Sequence, residues 1–433
     1  MVIVETSKEF RNFAKVFNEL DSIVIPIECD FNKHPKDTKL CLLYIKTISE
    51  DSKEYILPFR HSDALNLEIH MIDNLWTPKN VYTYDKKKLL HFFDWKDTHD
   101  VQMNYYLEKN EPLVIDDVLT NAHEYFHRKY YGKSNINCVI PIMKHLEWCR
   151  KVVEILKKAG VIGLKETESV YNIYNEDVLE NLQKIESNGL QTIDGMVYSE
   201  YNPYTATGRP SNRFGGLNFA ALNKKDGSRK PYVSRHKTGT LVEMDYDAYH
   251  LRLIGDRIGY DFPKGSVHEH MAKFYGVDYE ESKRMSFQYL YGHIPYEVSQ
   301  INPFFCKVEE YIKELWSEYN NKEFILSDIY SKRIYRKNLT DMNANKLFNY
   351  TIQLMETENN MKVLSELIPT IQDYKSKLIL YSYDSFLLDF NMEDGLDYIK
   401  KVKEILEQKG KFPVKVSWGL NYHEMKDITE KFV

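Results

Sequence analysis

The chain has 433 residues, of which 43% are hydrophobic and 28% are charged, and its formal net charge is −6. This length allows a large core and two or three domains, and the composition is ordinary for a soluble globular protein. The negative charge counts against tight, processive binding to nucleic acid, although local basic stretches remain at Lys224–Lys230 and Lys332–Lys337.

The five cysteines are scattered at positions 29, 41, 138, 149 and 306, and none forms a C-x-x-C pair. This spacing argues against a zinc site or a disulfide framework and fits a reducing compartment. We recognise no signal peptide and no apolar run long enough to cross a membrane. The expectation is therefore a cytoplasmic chain with no membrane partner.

The N-terminal part is predicted to be an α/β domain. Residues 1–20 carry apolar residues at helical spacing, and three strand-like runs follow over Ser22–Ile27, Lys39–Thr47 and Glu54–Phe59. This order of elements is that of the start of a ribonuclease-H-like sheet. Glu28 and Asp30 alternate at the end of the first run, so they share a face and could bind a metal together.

Strand-like runs in the C-terminal half end in acidic residues. The run Thr240–Met244 is followed by Asp245, and two runs over residues 378–388 are separated by a tip that contains Asp384. Two aspartates at the ends of apolar strands are what a two-metal phosphoryl-transfer site needs, because a rigid scaffold must set a metal spacing of about 4 Å. The sequence therefore predicts that Asp245 and Asp384 build such a site.

Residues 278–291 are predicted to form a helix, with Asp278 placed to cap its first turn. Lys283, Phe287 and Tyr291 are four residues apart and therefore share one face. Lys283 lies nearest the positive N-terminal end of the helix, which would attract a triphosphate.

Six segments, in one order, resemble the motifs of family A DNA polymerases, the DNA polymerase I family. They are Tyr204–Asn212 (YTATGRPSN, against T-x-T-G-R-x-S), Asp245–Arg252 (DYDAYHLR, against motif A, D-Y-S-Q-I-E-L-R), Lys283–Gly292 (KRMSFQYLYG, against motif B, K-x-x-x-F-G-x-x-Y-G), Asn349–Gln353 (NYTIQ, against N-x-x-x-Q), Tyr383–Ser385 (YDS, against H-D-E of motif C) and Val414–Tyr422 (against the closing strand). The chain resembles a compact member of the kind that phages encode.

The resemblance implies an α/β (α+β) fold with the palm and fingers of a right-hand polymerase over residues 194–433, the fingers lying at about 265–330. Residues 1–160 take the place of the 3′–5′ exonuclease domain. Residues 161–193 take the place of the family's long helical thumb, which must be very reduced because only a helix or two fits there. One candidate helix is Glu176–Glu186, with Asn175 as its N-cap.

By resemblance, the chain extends a DNA primer with dNTPs through two Mg²⁺ ions, for which Mn²⁺ can substitute. Asp245 and Asp384 would hold the ions with the help of the Tyr246 carbonyl group. Lys283 would bind the triphosphate. Phe287 and Tyr291 would form one wall of the pocket that holds the nascent base pair and sugar. The family's arginine one turn before the lysine is replaced by Tyr279, so Arg284 or a cation from another segment could compensate.

The resemblance also assigns primer–template contacts to Arg209, Asn349, Gln353 and Tyr383. The first three match residues that test base-pair shape in the minor groove, where hydrogen-bond acceptors are placed alike in every correct pair. His250 replaces a motif A glutamate that packs against the sugar. A histidine could block a 2′-hydroxyl group or donate a hydrogen bond to it, so sugar selection stays open.

The segments of this chain that correspond to the family's exonuclease motifs depart from the family pattern. Glu28 and Asp30 stand where the family has D-x-E, and Asp85 lies in the second motif. The last motif would need an aspartate at Cys149 or Arg150, and neither is a carboxylate. The sequence favours a domain retained as a scaffold over an active exonuclease, with Glu28, Asp30 and Asp85 as its candidate residues.

Three other functions remain open. They are a 3′–5′ exonuclease with a polymerase-like appendage, a non-catalytic DNA-binding accessory protein, and a polymerase that uses ribonucleotides. The expected partners are primer–template DNA and dNTPs, with a processivity factor as a further candidate, and the expected location is the cytoplasm, or the host cytoplasm if the chain is viral.

Overall fold

The computed structural model of the chain describes residues 1–74, 80–95, 97–115, 135–159, 169–214, 217–218 and 222–432. The chain divides into two compact units, of which the first comprises Met1–Ser187 and the second comprises Asn188–Phe214 and Asn218–Val433. Within the described ranges, no helix has the length and apolar character needed to span a membrane. Residues 160–168, around the start of the expected thumb, lie outside the described residues.

The first unit is built around a six-stranded mixed sheet with the strand order β1-β4-β3-β2-β5-β6. Its strands are β1 Val2–Ile3, β2 Ser22–Glu28, β3 Leu40–Thr47, β4 Glu54–Pro58, β5 Val81–Thr83 and β6 Thr98–Asp100. Neighbouring residues of β2 point to opposite faces, so Val24 joins one hydrophobic cluster and Ile23 joins another. The sheet is therefore buried on both faces, which explains why β2 is almost continuously apolar.

Helices cover both faces of this sheet. They are α1 Ser7–Phe17, α2 Lys86–Leu90, α3 Val101–Lys109, α4 Ile142–Lys158, α5 Ser169–Asn172, a π-helix Ile173–Val178 and α6 Leu179–Asn188, with 3₁₀ turns at Ile69–Asn74 and Ile136–Cys138. Phe10 and Phe13 of α1 pack into the cluster that contains Val24. Leu146 and Val152 of α4 pack into the cluster that contains Ile23.

The prediction that Asn175 caps a helix was wrong. Helical structure begins already at Ser169, and Asn175 lies inside the π-helical turn. Its side-chain oxygen accepts the N–H of Asp100 at 2.9 Å, and its amide donates to the carbonyl oxygen of Thr98 at 3.0 Å. The asparagine thus satisfies the backbone of β6, and this tertiary use outweighs its local capping preference.

The second unit is built around a five-stranded antiparallel sheet with the order β16-β17-β13-β18-β19. The strands of this part of the chain are β7 Leu190–Thr192, β8 Gly195–Val197, β9 Glu200–Asn202, β10 Ser211–Phe214, β11 Leu217–Asn218, β12 Tyr232–Val233, β13 Thr240–Tyr246, β14 Phe324–Leu326, β15 Arg333–Tyr335, β16 Lys377–Ser382, β17 Ser385–Phe390, β18 Val414–Gly419 and β19 Lys426–Asp427. β13 is the central strand, since it pairs with β17 on one side and with β18 on the other.

The helices of the second unit include a long one that is buried along most of its length. They are α7 Tyr249–Arg257, α8 Val267–Tyr275, α9 Tyr279–Tyr291, α10 Tyr296–Ile301, α11 Pro303–Asn321, α12 Ala344–Ile371 and α13 Gly395–Glu407, with 3₁₀ turns at Arg336–Asn338, Met392–Asp394 and Thr429–Phe432. The long helix, α12, packs against α7, α11 and α13. It is therefore a rigid support for the polar side chains that it carries.

Candidate active site

The central sheet of the second unit brings Asp245 and Asp384 together. Asp245, on β13, pairs in register with Ser385 of β17 and with Lys415 of β18. The backbone N–H of Tyr246 donates to the carbonyl oxygen of Asp384 at 3.0 Å. The two aspartates that the sequence singled out thus lie side by side at the end of two adjacent strands.

The two carboxyl groups are electrostatically strained. Burial, followed by the charge of Asp384, raises the pKa of Asp245 to about 7. Burial, followed by the charge of Glu356, raises the pKa of Asp384. The ammonium group of Lys224 offsets this repulsion only weakly, because its Nζ lies 3.8 Å from Asp245 Oδ2.

A bound cation would relieve this repulsion. Carboxylate and carbonyl oxygens are the ligands that Mg²⁺ and Mn²⁺ prefer. The donor set therefore fits divalent ions, with Asp245 and Asp384 as the residues that could hold them. The Tyr246 carbonyl group remains the predicted additional ligand.

The tip that carries Asp384 has a strained backbone. Tyr383 adopts a left-handed conformation with φ of 60°, which is unusual for a residue with a side chain. Asn360 of α12 donates to the carbonyl oxygen of Tyr383 at 2.6 Å. The guanidinium of Arg209 lies 3.7 Å from the centre of the Tyr383 ring. These two contacts hold the tip, and with it Asp384, in a fixed position.

The helix predicted over residues 278–291 is present as α9. Asp278 caps it by accepting the N–H of Glu281 at 2.9 Å, as the sequence indicated. Phe287 and Tyr291 lie on one face with their rings stacked in parallel, at 5.9 Å between centroids and 4° between planes. Lys283 is exposed on this helix.

A cation from another segment lies near the position where the family has an arginine. Arg284 is engaged by Glu281, with 2.6 Å between Nη2 and Oε1. Lys415 Nζ is 2.8 Å from Asp247 Oδ1. Burial lowers the pKa of the Lys415 ammonium group, but its hydrogen bond to Asp247 and the nearby Asp247, Tyr279 and Asp245 together raise that pKa above its ordinary value. Arg284 and Lys415 are thus each paired with a carboxylate, and both alternatives that the sequence left open stay predictions.

Glu356 of α12 joins several predicted site residues, although sequence reasoning did not identify it. Its side chain is 1% exposed. Arg209 Nε lies 2.8 Å from Oε2, Arg209 Nη2 donates to Oε1 at 3.3 Å, and His250 Nε2 lies 3.1 Å from Oε1. His250 Nδ1 in turn forms a short hydrogen bond with the Tyr291 hydroxyl group. One available signal was its spacing, because Glu356 follows Gln353 by three residues and so lies on the same helical face.

The other predicted primer–template residues lie beside this group. Asn349 donates to the carbonyl oxygen of Tyr291 at 2.8 Å. The Thr207 hydroxyl group donates to Gln353 Oε1 at 3.3 Å. The structure thus brings Arg209, Asn349 and Gln353, which come from two distant segments, into one region with helix α9.

The candidate exonuclease residues are engaged in structural contacts. Lys88 of α2 connects two of them, because its Nζ lies 2.8 Å from Glu28 Oε1 and its backbone N–H donates to Asp85 Oδ1 at 3.0 Å. Asp30 accepts the N–H of Asn32 at 3.1 Å. A lysine ammonium group, which the sequence did not point to, thus neutralises Glu28, one of the candidate metal-binding residues.

The two positions where the resemblance would need an aspartate, Cys149 and Arg150, also make structural contacts. Cys149 is buried among the core residues of α4, and burial raises the pKa of its thiol. Arg150 points to the sheet and forms an ion pair with Glu54 at 2.5 Å. Both positions are therefore occupied by contacts within the first unit.

The second unit thus combines a central antiparallel sheet that carries two strand-end aspartates with an exposed lysine on helix α9. The chain is similar to the solved structure described as the POL domain of Pol1 from M. smegmatis in complex with DNA primer-template and dNTP. The TM-score is 0.66 at 13% sequence identity, and the match covers 98% of this chain and 99% of that chain.

This likeness confirms the predicted α/β (α+β) fold, which is similar to that of the Pol1 POL domain. No protein-family model matches the sequence. No curated protein matches it either.

Proposed function

We propose that the chain is a DNA-directed DNA polymerase that extends a primer by two-metal nucleotidyl transfer of dNTPs. The observation that carries the proposal is the placement of Asp245 and Asp384 on adjacent strand ends, where Tyr246 N–H binds the Asp384 carbonyl oxygen at 3.0 Å. The similar Pol1 domain was solved with primer-template and dNTP, which supports the same substrate class here.

The residues of the site fit the parts that this reaction requires. The primer 3′-hydroxyl oxygen forms a bond to the α-phosphorus of the nucleotide, and the bond to the pyrophosphate leaving group breaks. Lys283 and Lys415 would bind the phosphates as charge-assisted donors. Phe287 and Tyr291 would pack against the incoming base and sugar.

The divalent ions, when bound, stabilise the charge that develops on the attacking and leaving oxygens. Asp245 and Asp384 would hold them, and we propose Mg²⁺ as the physiological ion, with Mn²⁺ as a substitute. Arg209, Asn349 and Gln353 would contact the minor groove of the terminal base pair, and Tyr383 would contact the primer end.

A primer-extension assay with dNTPs or NTPs, each with and without Mg²⁺, tests the proposal. We expect template-directed extension that requires Mg²⁺. Asp245→Asn and Asp384→Asn should each abolish extension while the melting temperature is kept or raised, because asparagine preserves the shape and removes the repulsive charge. Asp397→Asn is the matched control, since the Asp397 side chain is 95% exposed on α13. Normal extension by either active-site variant would refute the assignment.

The same assay separates the alternatives. An exonuclease would shorten the primer without nucleotides, an accessory protein would do neither, and a ribonucleotide-using enzyme would extend with NTPs. We further propose a phage-like enzyme that works in the cytoplasm and can take up a processivity factor, which pull-down from infected or growing cells would test.

A further inference from the structure

The side chain of Glu356 stands between two groups of residues with different proposed tasks. On one side, His250 and Tyr291 face the proposed sugar position. On the other side, Arg209 reaches the proposed minor-groove position and covers the Tyr383 ring at 3.7 Å. Glu356 is the side chain that both groups share, through Arg209 at 2.8 Å and His250 at 3.1 Å.

The contacts of His250 determine which hydrogen bonds its ring can form. Burial, followed by the charge of Glu356, raises the pKa of Tyr291, so the Tyr291 hydroxyl group keeps its proton and can donate it to His250 Nδ1. When Nδ1 accepts this hydrogen bond, the ring proton lies on Nε2, which faces the Glu356 carboxylate. Nε2 is buried from solvent, and so no ring nitrogen remains to receive a ribose 2′-hydroxyl group.

The Glu356 carboxylate would destabilise the fold if its partners were absent. Glu356 is 1% exposed, and a buried carboxylate is stable only while its partners neutralise it. The contacts of Arg209 Nε and His250 Nε2 are short but poorly directed as hydrogen bonds, and both nitrogens are buried. Movement of either partner therefore changes the electrostatic balance felt by the other.

We propose that Glu356 is a positioning residue that couples sugar selection to base-pair selection. It holds His250 against Tyr291 so that the wall beside the nucleotide rejects a 2′-hydroxyl group, and it holds Arg209 at the minor groove. The motif A position supplies no carboxylate in this chain, and Glu356 supplies one from α12 instead. This inference rests on the proposed polymerase function.

The experiment measures two ratios by steady-state primer extension. One is kcat/KM for a dNTP over the matching NTP, and the other is kcat/KM for a paired over a mispaired primer end. We expect Glu356→Gln to lower both ratios about tenfold, as expected when a charge-assisted hydrogen bond is removed. His250→Gln should lower mainly the sugar ratio and Arg209→Lys mainly the mispair ratio, and each should also lower the other ratio to a smaller extent, because the two residues share Glu356.

Glu366→Gln is the matched control, because Glu366 is exposed on the same helix, and it should leave both ratios unchanged. Melting temperatures verify that each variant folds. If Glu356→Gln fails to fold, the His250→Gln and Arg209→Lys single and double variants test the coupling, since non-additive effects on the two ratios are expected. Unchanged ratios in a folded Glu356→Gln variant, or additive effects in that series, would overturn the inference. A wild-type chain that extends no primer would instead refute the proposed function.

Discussion

Individual side chains at the active site carry charges that the protein alone does not balance. The pKa of Asp245 is raised from near 4 to about 7 by burial and by Asp384. An acid whose folded-state pKa is raised binds more protons when folded, so the metal-free fold loses stability as pH rises from about 4 to 7. Above pH 7 this destabilisation is complete, and a divalent ion can reverse it.

We therefore expect Mg²⁺ to raise the melting temperature of the wild-type chain more at pH 8 than at pH 5.5. At the lower pH, protons compete with the metal for Asp245. Differential scanning calorimetry with and without Mg²⁺ measures this difference, and Ca²⁺ controls for the choice of ion. The Asp245→Asn, Asp384→Asn double variant should show no Mg²⁺ effect at either pH, and an undiminished effect there would place the metal elsewhere.

The sequence allowed candidate site residues to be selected where the selecting pattern lies among neighbouring residues. Asp245 and Asp384 could be selected because each follows an apolar strand, which is a local pattern. Glu356 and Lys88 could not be selected in the same way, because their roles depend on partners far away in sequence. Glu356 meets Arg209 and His250, and Lys88 meets Glu28 sixty residues away.

Among the elements, α9 combines a local capping signal with an exposed cation. The Asp278 cap leaves Lys283 in the first turns of the helix, where the helix dipole adds to its attraction for phosphate. By contrast, the neighbouring Arg284 is held by Glu281 at 2.6 Å. The two adjacent cations therefore differ in availability.

We expect Lys283→Ala to reduce kcat/KM for dNTP roughly ten- to a hundredfold, since a charge-assisted phosphate contact is worth about 1.5–3 kcal/mol. Arg284→Ala, the matched control on the same helix, should change it less than about threefold. Single-nucleotide incorporation at varied dNTP concentration provides both values. Equal reductions in the two variants would mean that α9 binds phosphate through its general charge rather than through Lys283.

The local sequence pattern predicted where helices and strands lie better than it predicted their contacts with distant residues. The α9 cap and the strands around β13 follow from capping and apolar patterns that lie within a few residues. The helix at Ser169–Asn172 and the π-helix after it were missed, because Asn175 binds the backbone of β6. No pattern within the segment itself records that contact.

In the whole molecule, the first unit contains the predicted sheet, but a lysine contacts two of its candidate metal-binding residues. Lys88 contacts Glu28 at 2.8 Å and is bound through its backbone by Asp85. A cation at this place repels the divalent ions that a nuclease would need. The first unit is therefore expected to serve as a scaffold.

We accordingly expect the wild-type chain to remove a mismatched primer end slowly or not at all. A 5′-labelled mismatched primer–template, incubated with Mg²⁺ and without dNTPs, measures the removal. Fast removal that disappears in a Glu28→Gln, Asp85→Asn variant would contradict this expectation. Lys88→Met is an informative comparison, because it tests whether the lysine is what blocks metal binding.

The balance of charge over the whole chain also limits how long it can stay on DNA. The net charge of −6 gives no general attraction to phosphates, so binding must rest on local cations. The segment 161–193, predicted as a reduced thumb, is short, and its described helical part, Ser169–Ser187, is grouped with the first unit. Few contacts are then available to keep duplex DNA bound between successive nucleotide additions.

We therefore expect short products from a single binding event, and products that shorten further with moderate salt, because salt cations compete with the protein for the phosphates and lower its affinity steeply. Extension of a labelled primer in the presence of excess trap DNA, at several salt concentrations, measures both effects. A titration with unlabelled duplex added before the enzyme confirms that the trap is complete. Products hundreds of nucleotides long under these conditions, without a partner protein, would mean that the chain grips DNA through a surface other than the predicted thumb.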